Sequence, residues 1–237
     1  MLLQPCDWLE NDSKERKYVV DVFGRLDDDR VAKIRLTGFH PYFYLRSCDG
    51  ETKDDMYTNI GSAMSKDGKF LNGMKVTQEC KLDAMRGFSG LTPTKVWKLA
   101  FNGVIMMKMV LKTLKSGIKF GKREIVLEDI YEANLPPYIR LFHELDISPA
   151  SPISFDAEEE DPEDDENVDV CFTIPYTDIT PAPSENIPMY IASYDIETYS
   201  DSGNFPVSSN PADEPCESFD LDCANIGEGC RFPLDRK

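Results

Sequence analysis

Histidine is nearly missing from this sequence: His40 and His143 are the only two in 237 residues. No Ser-His-Asp or Cys-His catalytic set can be argued from so few. The glycine-bounded segment Gly117–Gly121 lacks the Gly-Lys-Ser/Thr ending of a phosphate loop. Cysteine occurs seven times (Cys6, Cys48, Cys80, Cys171, Cys216, Cys223 and Cys230), yet no two are separated by only two residues. The odd count and the spacing support neither a secreted disulfide framework nor a zinc knuckle. Reduced cytosolic or nuclear thiols are the expectation. Cys216, Cys223 and Cys230 recur at even steps, but neither histidine is near enough in sequence to complete a metal site. Long apolar runs are also lacking. The most apolar window, Val104–Leu114, is interrupted by Lys108 and Lys112, and nothing approaches the roughly 20 apolar residues of a membrane span. The first residues are too poor in apolar content for a signal peptide.

Basic residues are scarce in the second part of the chain. Residues 151–237 carry 3 Lys+Arg against 22 Asp+Glu, whereas residues 1–150 carry 23 against 21. The overall charge of −17 therefore describes a near-neutral body followed by an acidic stretch. Within the body, residues 75–123 hold eleven Lys/Arg and only Glu79 and Asp83 as acids. Charge asymmetry of this kind favours a nucleic-acid partner. Lys95, Lys98, Lys108, Lys112 and Lys115 are the candidates to track a phosphate backbone. Trp97, Phe101 and Phe88 lie among them and could stack on bases, but the core is the better expectation for these rings.

The hydrophobic pattern predicts strands over Lys17–Gly24, Arg30–Leu36, Tyr42–Arg46, Met74–Leu82, Val96–Phe101, Ile125–Ala133 and Val170–Ile174. Short helices are expected over Met56–Met64 and Pro136–Leu145, and another from an Asn102 cap through Leu114 with Gly117 past its end. Gly87–Pro93 reads as a loop. Ten acids and no base lie between Asp156 and Asp169, which predicts a solvated linker. Residues 201–237, rich in Ser, Pro, Gly, Asp and Glu, show no clear period and are expected to lack order.

The segment that carries chemistry is Tyr194-Asp195-Ile196-Glu197-Thr198, within the predicted strand Met189–Tyr199. Residues two apart on a strand project from one face, so Asp195 and Glu197 are expected to present parallel carboxylates. Such a pair suits hard divalent cations, and two metals can flank a phosphodiester. Asp-x-Glu alone is a weak signal, because acidic strand faces are common.

The surrounding residues strengthen it. IASYDIETYS resembles the first exonuclease motif of family B DNA polymerases. Gly38-Phe39-His40-Pro41-Tyr42-Phe43-Tyr44 resembles a segment of the N-terminal domain in delta-type eukaryotic and large-DNA-virus members. Tyr131-Glu132-Ala133-Asn134 with Arg140-Leu141-Phe142-His143, and then Asp146-Ile147-Ser148-Pro149, resemble two further segments in the same order. Pro188–Ser193 resembles the strand leading into the motif. Ala150-Ser151-Pro152 departs from the Gly-Trp pair often found there. Gly203-Asn204-Phe205-Pro206 still fits, and the sequence beyond it does not.

The resemblance implies an α+β fold: a mixed N-terminal domain over 1–155, an acidic insertion over 156–169, the start of a ribonuclease-H-like α/β 3′→5′ exonuclease domain over 170–206, incomplete, and a tail over 207–237. It implies that Asp195 and Glu197 hold Mg²⁺ or Mn²⁺ as half of a two-metal site, and that DNA is the substrate. It places the whole enzyme inside the cell, in the nucleus or at a viral replication site, with no membrane role. The second and third exonuclease motifs and the polymerase palm are not in these 237 residues, so the chain alone is expected to be inactive. The alternative is a DNA-binding or scaffold subunit of a split polymerase, docking to the remaining polypeptide.

Overall fold

The computed structural model describes residues 1–13, 15–64, 73–82, 93–120, 123–162, 167–182, 187–198 and 215–225. In chain order the elements are β1 (Leu2–Asp12), β2 (Tyr18–Leu26), β3 (Val31–Thr37), β4 (Tyr42–Arg46), α1 (Lys53–Ala63), β5 (Met74–Leu82), β6 (Pro93–Phe101) and α2 (Val104–Lys115). There follow β7 (Lys119–Phe120), β8 (Arg123–Glu124), β9 (Ile130–Tyr131), α3 (Pro137–Leu145), β10 (Ile153–Ser154), β11 (Val170–Pro175), β12 (Thr180–Pro181), β13 (Tyr190–Thr198) and β14 (Pro215–Asn225). The chain forms two units, Met1–Glu185 and Asn186–Lys237.

The first unit holds two main sheets: six strands ordered β11-β3-β2-β1-β10-β12 and four ordered β5-β6-β4-β9. Strand alternation explains why the smaller sheet separates two cores. On β4, Tyr42 and Tyr44 join a core shared with the larger sheet and α3. Phe43 and Leu45 join the core beneath α1 and α2. On β6, Val96 belongs to the first core, while Trp97, Leu99 and Phe101 belong to the second. Each fully buried Phe or Leu here contributes roughly 1.5–3 kcal/mol through apolar burial. Helix α1 begins with a capping box between Thr52 and Asp55. Helix α3 begins on prolines, where the missing N–H costs little, and ends at Asp146 in the left-handed region.

Several expectations need correction. Strand β1 was not anticipated, because Pro5 and a bulge between Pro5 and Asp7 break its alternation. The expected strand Ile125–Ala133 is instead a 3₁₀ turn, Leu127–Asp129, followed by the two-residue β9. There the Asp129 carboxylate accepts from the Val126 N–H at 3.2 Å and folds the backbone into a turn. The N-cap of α2 is Gly103 rather than Asn102.

The acidic stretch is anchored on both sides of residues 163–166, which lie outside the described residues. Arg30 makes a two-pronged contact with Glu159 at 2.7 and 2.9 Å. Glu160 bridges Cys171 through the backbone, and Asp169 accepts from the Val31 N–H. Strand β11, placed by the sequence at the start of the exonuclease segment, runs parallel to β3 inside the first unit.

The second unit contains an antiparallel pair, β13 and β14. No strand was expected after residue 206. The Phe219-Asp220-Leu221-Asp222-Cys223 run does alternate with period two, which suits a strand. The predicted loop around Gly87, residue Phe88 and the remainder of 199–237 lie outside the described residues.

Candidate functional site

Asp195 and Glu197 lie on β13, where Tyr, Ile and Thr favour the extended backbone. In the antiparallel register Asp195 is opposite Asp220 and Ser193 is opposite Asp222. The register shifts between Ile196 and Thr198, at the position of Glu197. Among the described residues no cluster of three or more His, Cys, Asp or Glu is arranged to hold a metal ion. The donor chemistry of an Asp-x-Glu pair nevertheless fits Mg²⁺ or Mn²⁺, which take oxygen ligands. Two carboxylates alone leave most of an octahedral shell to other groups.

The five candidate lysines do not share a surface. Lys98 lies on the Val96 and Ala100 face of β6, toward the core shared with the larger sheet. Its ammonium sits 3.8 Å from the centre of the Tyr42 ring, 3.9 Å from Glu79 and 4.0 Å from Glu144. Lys95 is exposed on the opposite face of the same strand. Lys108, Lys112 and Lys115 are exposed on α2. Trp97 and Phe101 are buried at 4% and 0% exposure, so neither offers a free ring.

The structure also assembles a site that charge counting missed. Tyr42 and Tyr44 meet edge-to-face with centroids 5.4 Å apart. The Arg140 guanidinium lies 4.3 Å from the Tyr42 ring and 5.7 Å from the Tyr44 ring. The Lys81 ammonium lies 3.9 Å from the centre of the Tyr44 ring. Glu132 accepts from Arg140 at 2.6 Å and lies 3.9 Å from Lys81. Arg140 is only 4% exposed, and its Nε has no hydrogen-bond partner. Burial pushes the Tyr42 and Tyr44 phenols up from their ordinary range, and Glu144 and Glu79, respectively, add to the effect. Beside them is a cleft of about 290 Å³ lined in part by His40, Tyr42, Lys75, Lys98, Glu144 and Tyr176. The block around Tyr42 and the paired segment that holds Glu132 and Arg140, about 90 positions further along the chain, thus converge on one cluster. Their resemblance to one family's segments was the available signal.

Residues 128–216 match the family model described as the DNA polymerase family B exonuclease domain. The DNA polymerase of Pyramimonas orientalis virus is 29% identical over 85% of this chain. The DNA polymerase of Paramecium bursaria Chlorella virus NY2A is 30% identical over 88% of it. This chain carries part of the exonuclease region of a family B DNA polymerase. It spans only 17% and 22% of the length of those two polymerases. The family B DNA polymerase of the archaeon Pyrobaculum calidifontis shares its fold with a TM-score of 0.61, at 17% identity, over 84% of this chain and 23% of that one. Within this family B segment the matched region includes α3, with Arg140, and β13, with Asp195 and Glu197.

Proposed function

We propose that this chain supplies Asp195 and Glu197 as half of a two-metal site for 3′→5′ excision of mispaired nucleotides, within a family B DNA polymerase acting in DNA replication. The observation that carries this reading is the position of Asp195-Ile196-Glu197 on β13 inside the matched exonuclease region. When bound, Mg²⁺ or Mn²⁺ would provide an activated water and offset charge on the scissile phosphate. The chain's part is positional: a paired strand fixes the spacing of two oxygen donors beside the path of a DNA 3′ end. Two carboxylates leave most ligand positions to other groups, and this reading assigns those positions to the remaining polymerase polypeptide as partner. The viral relatives favour a replication site inside an infected host cell.

Two measurements test the proposal. The purified chain, given end-labelled single-stranded DNA with Mg²⁺ or Mn²⁺, is expected to show no polymerisation and no digestion. Metal-dependent digestion abolished by Asp195→Ala would show a complete site and overturn the half-site assignment. In a polypeptide extended through the remaining polymerase, Asp195→Ala and Glu197→Ala are each expected to lower excision of a mispaired primer end by at least about a hundredfold, since such metal ligands act directly on the reacting phosphate. Primer extension should be retained. Unchanged excision in both variants would sink the assignment.

A further inference from the structure

We propose that the outward face of α2 is a docking surface for an acidic, amphipathic peptide segment of a partner protein. This inference does not depend on the exonuclease reading. Helix α2 buries Met107, Val110 and Leu114 against the sheet. On the opposite side Ile105 is 57% exposed and Met109 39% exposed. Lys108, Lys112 and Lys115 are exposed beside them. At about 100° per residue these five side chains fall within roughly a third of the helix circumference, in a stripe about 15 Å long.

The composition of the stripe decides between occupants. Helix α2 contains no acidic residue, and no ion pair among the described residues engages its three lysines. Lys112 and Lys115 in the last turn suit the helix dipole, but that leaves Lys108 and the two large apolar side chains without a role. A phosphate backbone is attracted to the lysines and gains nothing from Ile105 or Met109. A helical peptide with carboxylates flanking large apolar residues at three- and four-residue spacing satisfies both parts of the stripe. The first two amides of α2, those of Val104 and Ile105, are already taken by Asp12, so attraction for an acidic partner lies along the face.

The test uses the full chain and a fluorescent peptide of about 14 residues, long enough to lie along the stripe. The peptide carries leucines on one helical face and glutamates beside them. Binding is followed by anisotropy near physiological salt, with circular dichroism confirming that each variant is folded. Saturable binding is expected, weakened at least tenfold by Lys108→Glu with Lys112→Glu and at least threefold by Ile105→Ser. Absence of saturable binding overturns the proposal. So does equal binding of a polyglutamate of the same length, or indifference to Ile105→Ser, since either makes the stripe a general anion face. Single-stranded DNA that binds as tightly, with the same loss in the lysine variant and none in Ile105→Ser, would assign α2 to nucleic acid instead.

Discussion

The carboxylate of Asp12, at the end of β1, accepts the backbone N–H of Val104 at 2.9 Å across 92 positions of sequence. Its second oxygen accepts from Ile105 at 3.0 Å. Helix α2 has Gly103 as N-cap and no side-chain cap of its own, so a distant strand supplies what a local Ser or Asp usually does. Asp12→Ala is expected to lower unfolding free energy by about 1–2 kcal/mol, and Asp12→Asn by less, because one amide oxygen can still accept. Urea titration of the three proteins checks this. Equal midpoints for wild type and Asp12→Ala would show that the tertiary cap contributes nothing.

Gly24 and Gly38 call for glycine for different reasons. A Cβ at Gly24 would lie 2.2 Å from the Gln4 carbonyl oxygen and 2.9 Å from Leu3 Cγ, beside the bulge in β1. At Gly38 nothing lies within 4 Å, but φ is +84°. Gly38→Ala is therefore expected to cost about 1–2 kcal/mol through backbone strain alone. Gly24→Ala should cost more, because overpacking of this severity forces backbone to move. Thermal melts of the two variants give the order directly, and the reverse order would refute the close approach of β1 and β2.

These cases show which features the sequence alone could reveal. Alternation marked β2, β3 and β4, and the prolines marked the start of α3. Period two also implied that Lys98 shares a face with Val96 and Ala100 rather than with Trp97, yet clustering by charge grouped it with the α2 lysines. The cap from Asp12 was not readable, because its partner is 92 positions away and β1 itself was hidden by Pro5 and polar residues. Strand β14 was readable in its Phe219–Cys223 alternation, but the surrounding Ser, Pro and Gly content concealed it. Asp195 and Glu197 stood out by motif and lie on the strand the pattern predicted. The Tyr42–Arg140 cluster was visible only in part, because Tyr42, Tyr44, Glu132 and Arg140 lie in separated blocks of family resemblance while Lys81 on β5 lies in none of them.

Arg140 offers a test of that cluster. It is 4% exposed, paired with Glu132 at 2.6 Å and set against the Tyr42 and Tyr44 rings. Arg140→Ala is expected to lose about 1.5–3 kcal/mol, because it removes a nearly buried guanidinium from its charged hydrogen bond to the half-exposed Glu132 and opens space beside the rings. Arg140→Lys should rescue little, since an ammonium cannot reproduce a planar fork stacked on an aromatic face. Denaturant titration distinguishes the outcomes. Near-complete rescue by lysine would show that charge alone, and not the guanidinium plane, holds the cluster together.

The same cluster and Tyr18 predict how the fold responds to alkali. Burial pushes the Tyr18 phenol far up, with neighbouring Glu10 as a second cause, and it raises Tyr42 and Tyr44 as well. In each case the neutral form is favoured in the folded chain, so the folded value lies above the unfolded one of about 10. The contribution of these groups is therefore fully present below about pH 10 and is lost as pH rises toward the raised folded values, because the unfolded chain releases its phenolic protons first. Stability is expected to fall steeply above about pH 10, with tyrosinate absorbance from these three residues appearing together with the loss of secondary structure. Replacing Tyr18 by Phe should blunt the fall, at the cost of the 2.9 Å hydrogen bond to Glu10. Parallel absorbance and circular-dichroism titrations decide the point. If tyrosinate forms in full while the chain stays folded, these phenols are solvated, and the buried packing assigned to Tyr18, Tyr42 and Tyr44 is wrong.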